Sequence, residues 1–118
     1  MRIYVFTTEP TQYFSKELEK SANQFQIDFE VIDFNNLILS DNVNDSKLYH
    51  NDKELIIDNE TYIVPRFSFE NAYFKLSILE YCVSKGARII NTPNGLRMCN
   101  DKLHTQIKLT SLGVKTPW

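Results

Sequence analysis

Residues 61–91 read TYIVPRFSFENAYFKLSILEYCVSKGARIIN, and the order of periodicities within them decides the fold. Tyr62-Ile63-Val64 is a short apolar run of strand formers that Pro65 stops. Ser68 then stands as an N-cap, and Phe69, Ala72, Tyr73, Leu76, Leu79 and Val83 recur at steps of three and four, the spacing of one helical face. The pattern predicts a helix from Phe69 to Lys85 that buries Ala72, Tyr73, Leu76, Leu79 and Val83, with Gly86 as its stop. Ala87 to Ile90 is a second strand, and Asn91-Thr92-Pro93-Asn94-Gly95 reads as a turn. Strand, helix, strand with short joints is the unit from which parallel sheets are built.

The chain on either side repeats the alternation. Ile3 to Phe6 is an apolar strand placed where a central parallel strand often begins a domain. Pro10 marks a helix start, and Phe14, Leu18, Ala22 and Phe25 share its inner face. A second strand is expected at about 28 to 33, closed by Asp33 and broken by Asn35-Asn36. Leu48 to His50 and Glu54 to Ile57 flank Asn51-Asp52, residues that tolerate positive φ, which predicts a tight hairpin at one edge. Asp101 caps a last helix carrying Leu103, Ile107 and Leu112 and closed by Gly113. The expected fold is α/β and Rossmann-like: a mainly parallel sheet with strand one central, helices on both faces and an inserted β-hairpin, all in one domain over 1–118.

Composition narrows the function. With 118 residues, 42% apolar and 13% aromatic, the chain is long enough for one core. A formal charge of −2 without a basic stripe argues against nucleic acid as a partner. Cys82 and Cys99 are the only cysteines and have no metal-ligand spacing, which fits reduced thiols and a cytoplasmic protein with no metal site of its own. No signal peptide follows Met1 and no apolar run approaches a membrane span, so no membrane partner is expected. At the other end, Val114-Lys115-Thr116-Pro117-Trp118 sets an indole last, either packed on its own domain or awaiting further chain.

In open parallel sheets ligands gather beyond the carboxyl ends of the strands, which singles out Thr7, Thr8, Asp33, Arg66, Asn91 and Thr92. The turn Thr7-Thr8-Glu9-Pro10-Thr11 lacks glycine, so the backbone cannot approach a pyrophosphate as a dinucleotide site requires. Asp33 reads as a turn or capping residue. A phosphoacceptor receiver wants an acidic cluster after strand one, and Glu9 alone does not supply it. Pro65 fixes the approach to Arg66, whose guanidinium suits either capture of a carboxylate or phosphate or an ion pair between elements. Lys102 falls in the first turn of a helix, against the dipole and beside open N–H groups; it is either part of an anion site or a solvated cation. His50 and His104 lie far apart, and Cys99 with His104 lacks a third group for nucleophilic catalysis.

From about Tyr62 onward the order of motifs resembles the ATP-grasp ligases of the glutathione synthetase and RimK-like group. Ile63-Val64-Pro65-Arg66 is similar to the family's strand ending in Pro-Arg, and Ile90-Asn91-Thr92-Pro93 to its strand ending in asparagine. Asp101-Lys102-Leu103 resembles its acid-lysine-leucine helix start, and Gly113 to Pro117 the passage into its ATP-binding region. The likeness is closest in the second half; strands one and two and the hairpin agree only in kind. It implies a pre-ATP-grasp domain on the substrate side of a ligase. Such an enzyme phosphorylates a small-molecule or peptide carboxylate with ATP and Mg2+ and joins the acyl phosphate to an amine. It further implies nucleotide phosphate binding by Lys102 and substrate-side roles for Arg66 and, more weakly, Asn91. The magnesium ligands, flap and adenine pocket would lie beyond Trp118, so the chain alone is expected to have no catalytic residues and no activity. The alternative is a stand-alone Rossmann-like module that binds a small ligand or docks on another protein. Substrate identity and homo-oligomer formation stay open.

Overall fold

The computed structural model describes residues 1–117; Trp118, and with it the question of a packed terminal indole, lies outside them. Strands β1 (Arg2–Thr7), β2 (Asp28–Asp33), β6 (Thr61–Arg66) and β7 (Arg88–Ile89) form a parallel sheet in the order β2-β1-β6-β7. Strand one is therefore interior, as its unbroken apolar run predicts, and Val5 and Phe6 are fully buried. At the amino ends the Arg2 guanidinium donates to Asp58 Oδ1 at 2.8 Å and Thr61 Oγ1 at 3.1 Å, which locks the start of β1 to the start of β6.

Alternation along the strands sends their side chains to two faces. Ile3, Phe29 and Val64 face Leu18 and Ala22 of helix α1 (Tyr13–Gln24) across a small apolar hollow of about 160 Å3 on one of them. Tyr4, Phe6, Ile32 and Ile63 on the other join Ile78, Leu79 and Cys82 of α2 (Ala72–Ser84) in the main core. Gly86 turns the chain from α2 into β7 at φ 99°, and a Cβ there would lie 3.3 Å from the backbone nitrogen of Asn59.

The expected lone hairpin over 48–57 does not stand by itself. After a 3-10 turn at Phe34–Asn36, β3 (Leu37–Ser40), β4 (Lys47–His50) and β5 (Lys53–Glu54) form a separate three-stranded antiparallel sheet. Asn51 and Asp52 take φ of 49° and 65° between β4 and β5. Leu37, Leu48 and Leu55 bury themselves against α2 and the parallel sheet, so this small sheet closes the core. Its first strand is the apolar run Leu37-Ile38-Leu39 between Asn35-Asn36 and Ser40-Asp41-Asn42, which lies outside the expected hairpin, and Ile56 and Ile57 fall after the last one.

Helix α2 is turned relative to its expected phase. Leu76 and Leu79 are buried as predicted, but Tyr73 is 88% and Val83 47% exposed, and Lys75, Ile78 and Cys82 take the inner positions. The helix begins at Ala72, after Asn71 in a left-handed conformation, so Ser68 is not its cap and Phe69 does not set its phase. A helix apolar on most sides presents two stripes of equal spacing, and the partners across the core choose between them. The turn predicted at 91–95 is instead the start of α3 (Pro93–Asn100): Thr92 Oγ1 accepts from the Gly95 N–H at 3.1 Å, and Pro93 occupies the first helical position. Asp101 caps α4 (Lys102–Ser111) as expected, accepting from His104 N–H at 2.9 Å. Nothing in α4 is buried, however, and Leu103, Ile107 and Leu112 remain exposed, as does Phe25 just after α1.

Candidate functional site

The carboxyl ends of β1 and β6 open into a hollow of about 430 Å3 lined by Thr7, Thr8, Glu9, Gln12, Arg66 and the loop that follows. Its floor is rigid. Thr7 is buried, and its Oγ1 accepts from the Glu9 N–H at 3.0 Å, which folds the glycine-free turn back on itself. Gln12 leads into α1 without a side-chain cap, so the first N–H groups of that helix are left without a side-chain acceptor.

Arg66 emerges at the rim. Its guanidinium carbon lies 4.3 Å from the centre of the Phe14 ring, a stacked arrangement that holds the side chain in place. Of the two readings open for it in the sequence, the ion pair is not formed: among the described residues no carboxylate lies within 4.0 Å of it. An exposed, oriented and unpaired guanidinium beside a hollow is chemically equipped to hold a carboxylate or phosphate in bidentate fashion.

A second cation lies behind the same wall, and sequence reasoning missed it. Lys75 is 5% exposed, on the inner face of α2. Its ammonium donates to the carbonyls of Ser68, at 2.8 Å, and of Glu70, and stands 5.5 Å from the centre of the Phe67 ring. No carboxylate among the described residues pairs with it. A buried ammonium is costly unless hydrogen-bonded, so these two carbonyls explain its survival in the core and its effect on the loop. It staples Phe67–Glu70 down as one side of the hollow. The only sequence signal was a lysine beside Leu76 in a helix that is apolar on most sides, which reads equally well as a solvated residue.

Asn91 lies exposed in a neighbouring hollow of about 510 Å3, and Leu96 is a wall of both. The structure therefore brings Asn91 and Arg66 to adjacent openings of one sheet edge. Lys102 is exposed in the first turn of α4 and lines neither of them. Asp33 caps the 3-10 turn, accepting from the Asn35 N–H at 2.9 Å, in keeping with its reading as a turn residue. His50 is structural as well: its Nε2 accepts from the Asp33 N–H at 3.1 Å, and its Nδ1 faces Glu30 at 3.8 Å, tying the small sheet to β2. Burial pushes the Cys82 thiol up to about 12, which makes it inert at neutral pH; Cys99 is exposed.

Among the described residues no group of three or more His, Cys, Asp or Glu side chains is placed to hold a metal ion. Among the described residues no helix is long and apolar enough to cross a membrane. No family model matches the chain, and no curated protein matches it.

Proposed function

We propose that this chain is the substrate-side domain of an ATP-dependent carboxylate–amine ligase that works through an acyl phosphate, and that it acts in the cytoplasm. The observation that carries the reading is Arg66: a guanidinium held over the Phe14 ring, with no carboxylate partner among the described residues, at the carboxyl end of an interior parallel strand and beside a hollow of about 430 Å3. In an open α/β sheet this is where ligands bind, and a carboxylate is the group such an arginine best accepts. Asn91, one wall away, is the second polar contact on that side.

Helix α4 fits the same reading. Its first turn offers Lys102, and its apolar Leu103 and Ile107 lie open to solvent, as suits a helix at a junction between domains. Among the described residues no cluster of His, Cys, Asp or Glu is placed to hold a metal ion, and in this reading ATP and Mg2+ are held chiefly by another domain, with Lys102 as this chain's contact to the nucleotide. A stand-alone binding module is the second reading. In that reading Thr7, Glu9, Gln12 and Arg66, which line one hollow, form the ligand site by themselves.

The test is a calorimetric titration of ATP with Mg2+ into the protein encoded by the complete gene and into its Lys102→Ala variant. The expected outcome is binding that weakens by about ten- to hundredfold on loss of one charge-assisted contact, with thermal melting unchanged. Phosphate release by the 118-residue chain alone, above a buffer control and surviving a second purification, would refute the division of labour. A complete gene product that binds no ATP would leave the module reading in its place.

A further inference from the structure

Glycine follows asparagine once in this chain, at Asn94-Gly95; the other two glycines, Gly86 and Gly113, follow Lys85 and Leu112. An asparagine before glycine is the one most open to ring closure, because the missing Cβ leaves the glycine nitrogen free to reach the side-chain amide carbon. The same dipeptide makes 91–95 read as a turn in the sequence. The structure makes it the first turn of α3 instead.

Ring closure and a helical turn exclude each other. The Gly95 nitrogen can reach Asn94 Cγ only if Asn94 turns well away from the helical ψ of about −42°. Thr92 opposes this twice. Its Oγ1 accepts from the Gly95 N–H at 3.1 Å, which engages the proton that the nitrogen must lose, and its carbonyl accepts from the Leu96 N–H at 2.9 Å, which closes the turn around Asn94. Little else holds that turn. In α3 only Pro93 is buried, Asn94 is exposed, and its amide nitrogen has a thioether, Met98 Sδ at 3.9 Å, as its hydrogen-bond partner. A helix end so lightly packed opens locally far more often than the whole fold does.

We propose that Asn94 is a site of spontaneous deamidation whose rate is set by opening of the α3 start, with Thr92 as the latch. In the open state the Gly95 nitrogen gives its proton to water or hydroxide and bonds to Asn94 Cγ; the Cγ–Nδ2 bond breaks and ammonia leaves. Water then opens the five-membered imide. Attack at Cγ yields aspartate, and attack at the main-chain carbonyl yields isoaspartate, in which the chain runs through the side-chain carbon. The two products act oppositely on α3. Aspartate sets a negative charge in the first turn, where the helix dipole favours it. Isoaspartate adds a methylene to the main chain inside the turn that the Leu96 N–H and the Thr92 carbonyl close, so that bond is lost. Leu96 lines both the Arg66 and the Asn91 hollows, and the isoaspartate form therefore has a displaced wall between them. None of this depends on what the hollows bind.

The experiment incubates the 118-residue chain at body temperature and mildly alkaline pH beside a synthetic peptide of residues 90–100, and follows both by peptide mapping with mass spectrometry. Asn94 should convert before any other asparagine, and more slowly than in the peptide by about three- to thirtyfold, the protection expected of one helix cap and a lightly held turn. Thr92→Val should raise the rate in the chain severalfold and leave that of the corresponding peptide unchanged. Gly95→Ala should bring Asn94 down to the level of the other asparagines; its Cβ would lie 3.2 Å from Thr92 Oγ1, a contact that a small turn of that hydroxyl relieves. Both variants should keep the wild-type melting temperature, since α3 buries only Pro93. Amide exchange at Leu96 should quicken in the isoaspartate fraction and not in Asn94→Asp. Earlier conversion of another asparagine, a rate equal to the peptide's, no conversion of Asn94 within about a hundred peptide half-lives, or indifference to Thr92→Val overturns the proposal.

Discussion

Replacing Lys75 by methionine should leave global stability nearly unchanged while it releases the loop that walls the Arg66 hollow. The side chain is 5% exposed and its ammonium makes two hydrogen bonds, to the carbonyls of Ser68 and Glu70. Hydrogen bonds to a charged group contribute about 1.5–3 kcal/mol each, so removing both forfeits about 3–6 kcal/mol. Against that stands the penalty of holding an ammonium out of water, several kcal/mol in a protein interior, which the thioether does not incur. The two terms nearly offset, and a net change within about 2 kcal/mol is expected, in contrast to about 2–5 kcal/mol for Leu79→Ala in the same helix. Local order behaves otherwise, because nothing replaces the staple. Urea unfolding reads the first quantity. The second is read by 15N relaxation of the 67–71 amides and by chymotryptic cleavage after Phe67 or Phe69, both of which should report a more mobile loop. A Lys75→Met variant as unstable as Leu79→Ala, or one whose loop relaxes and cleaves like the wild type, would refute the reasoning.

Two further outcomes follow from the core. Leu76→Ala should cost about 2–5 kcal/mol by urea unfolding, whereas Tyr73→Ala, three residues away on the outer side, should cost under about 0.5 kcal/mol; similar losses would mean that α2 has the other phase. Burial raises the Cys82 thiol from 9.0 to about 12, so between those pH values the unfolded chain has lost a proton that the folded chain keeps. That contribution to stability is whole below pH 9 and is lost as pH rises toward 12, at about 1.4 kcal/mol per pH unit. Tyr4 and Tyr81, raised chiefly by burial, act in the same direction. Urea midpoints at several alkaline pH values should fall more steeply for the wild type than for Cys82→Ala, and parallel slopes would count against a buried neutral thiol.

The sequence by itself determined the elements whose signal is local. Strand β1 and its interior place, the extent of β2, β6 ending at Arg66, the Gly86 stop and the Asp101 cap all rest on short-range chemistry: apolar runs, a proline, a left-handed glycine and a side-chain oxygen three residues from an open N–H. Arg66 and Asn91 were legible as site candidates for the same reason, since the end of a parallel strand can be located from its own residues. What only the tertiary structure decided depends on partners far along the chain. The phase of α2 was ambiguous because apolar residues lie on most of its sides, and the core it shares with Phe34, Leu48 and Ile63 takes in Ile78 and Cys82 and leaves Tyr73 outward. The short apolar run Leu37 to Leu39 shows neither its partner nor its sheet, and it is the antiparallel pairing with β4 that makes it β3 of the separate small sheet. Lys75 became part of the site only once the loop after β6 folded across it, for a buried ammonium is defined by the carbonyls brought to it and by nothing in its neighbours along the sequence.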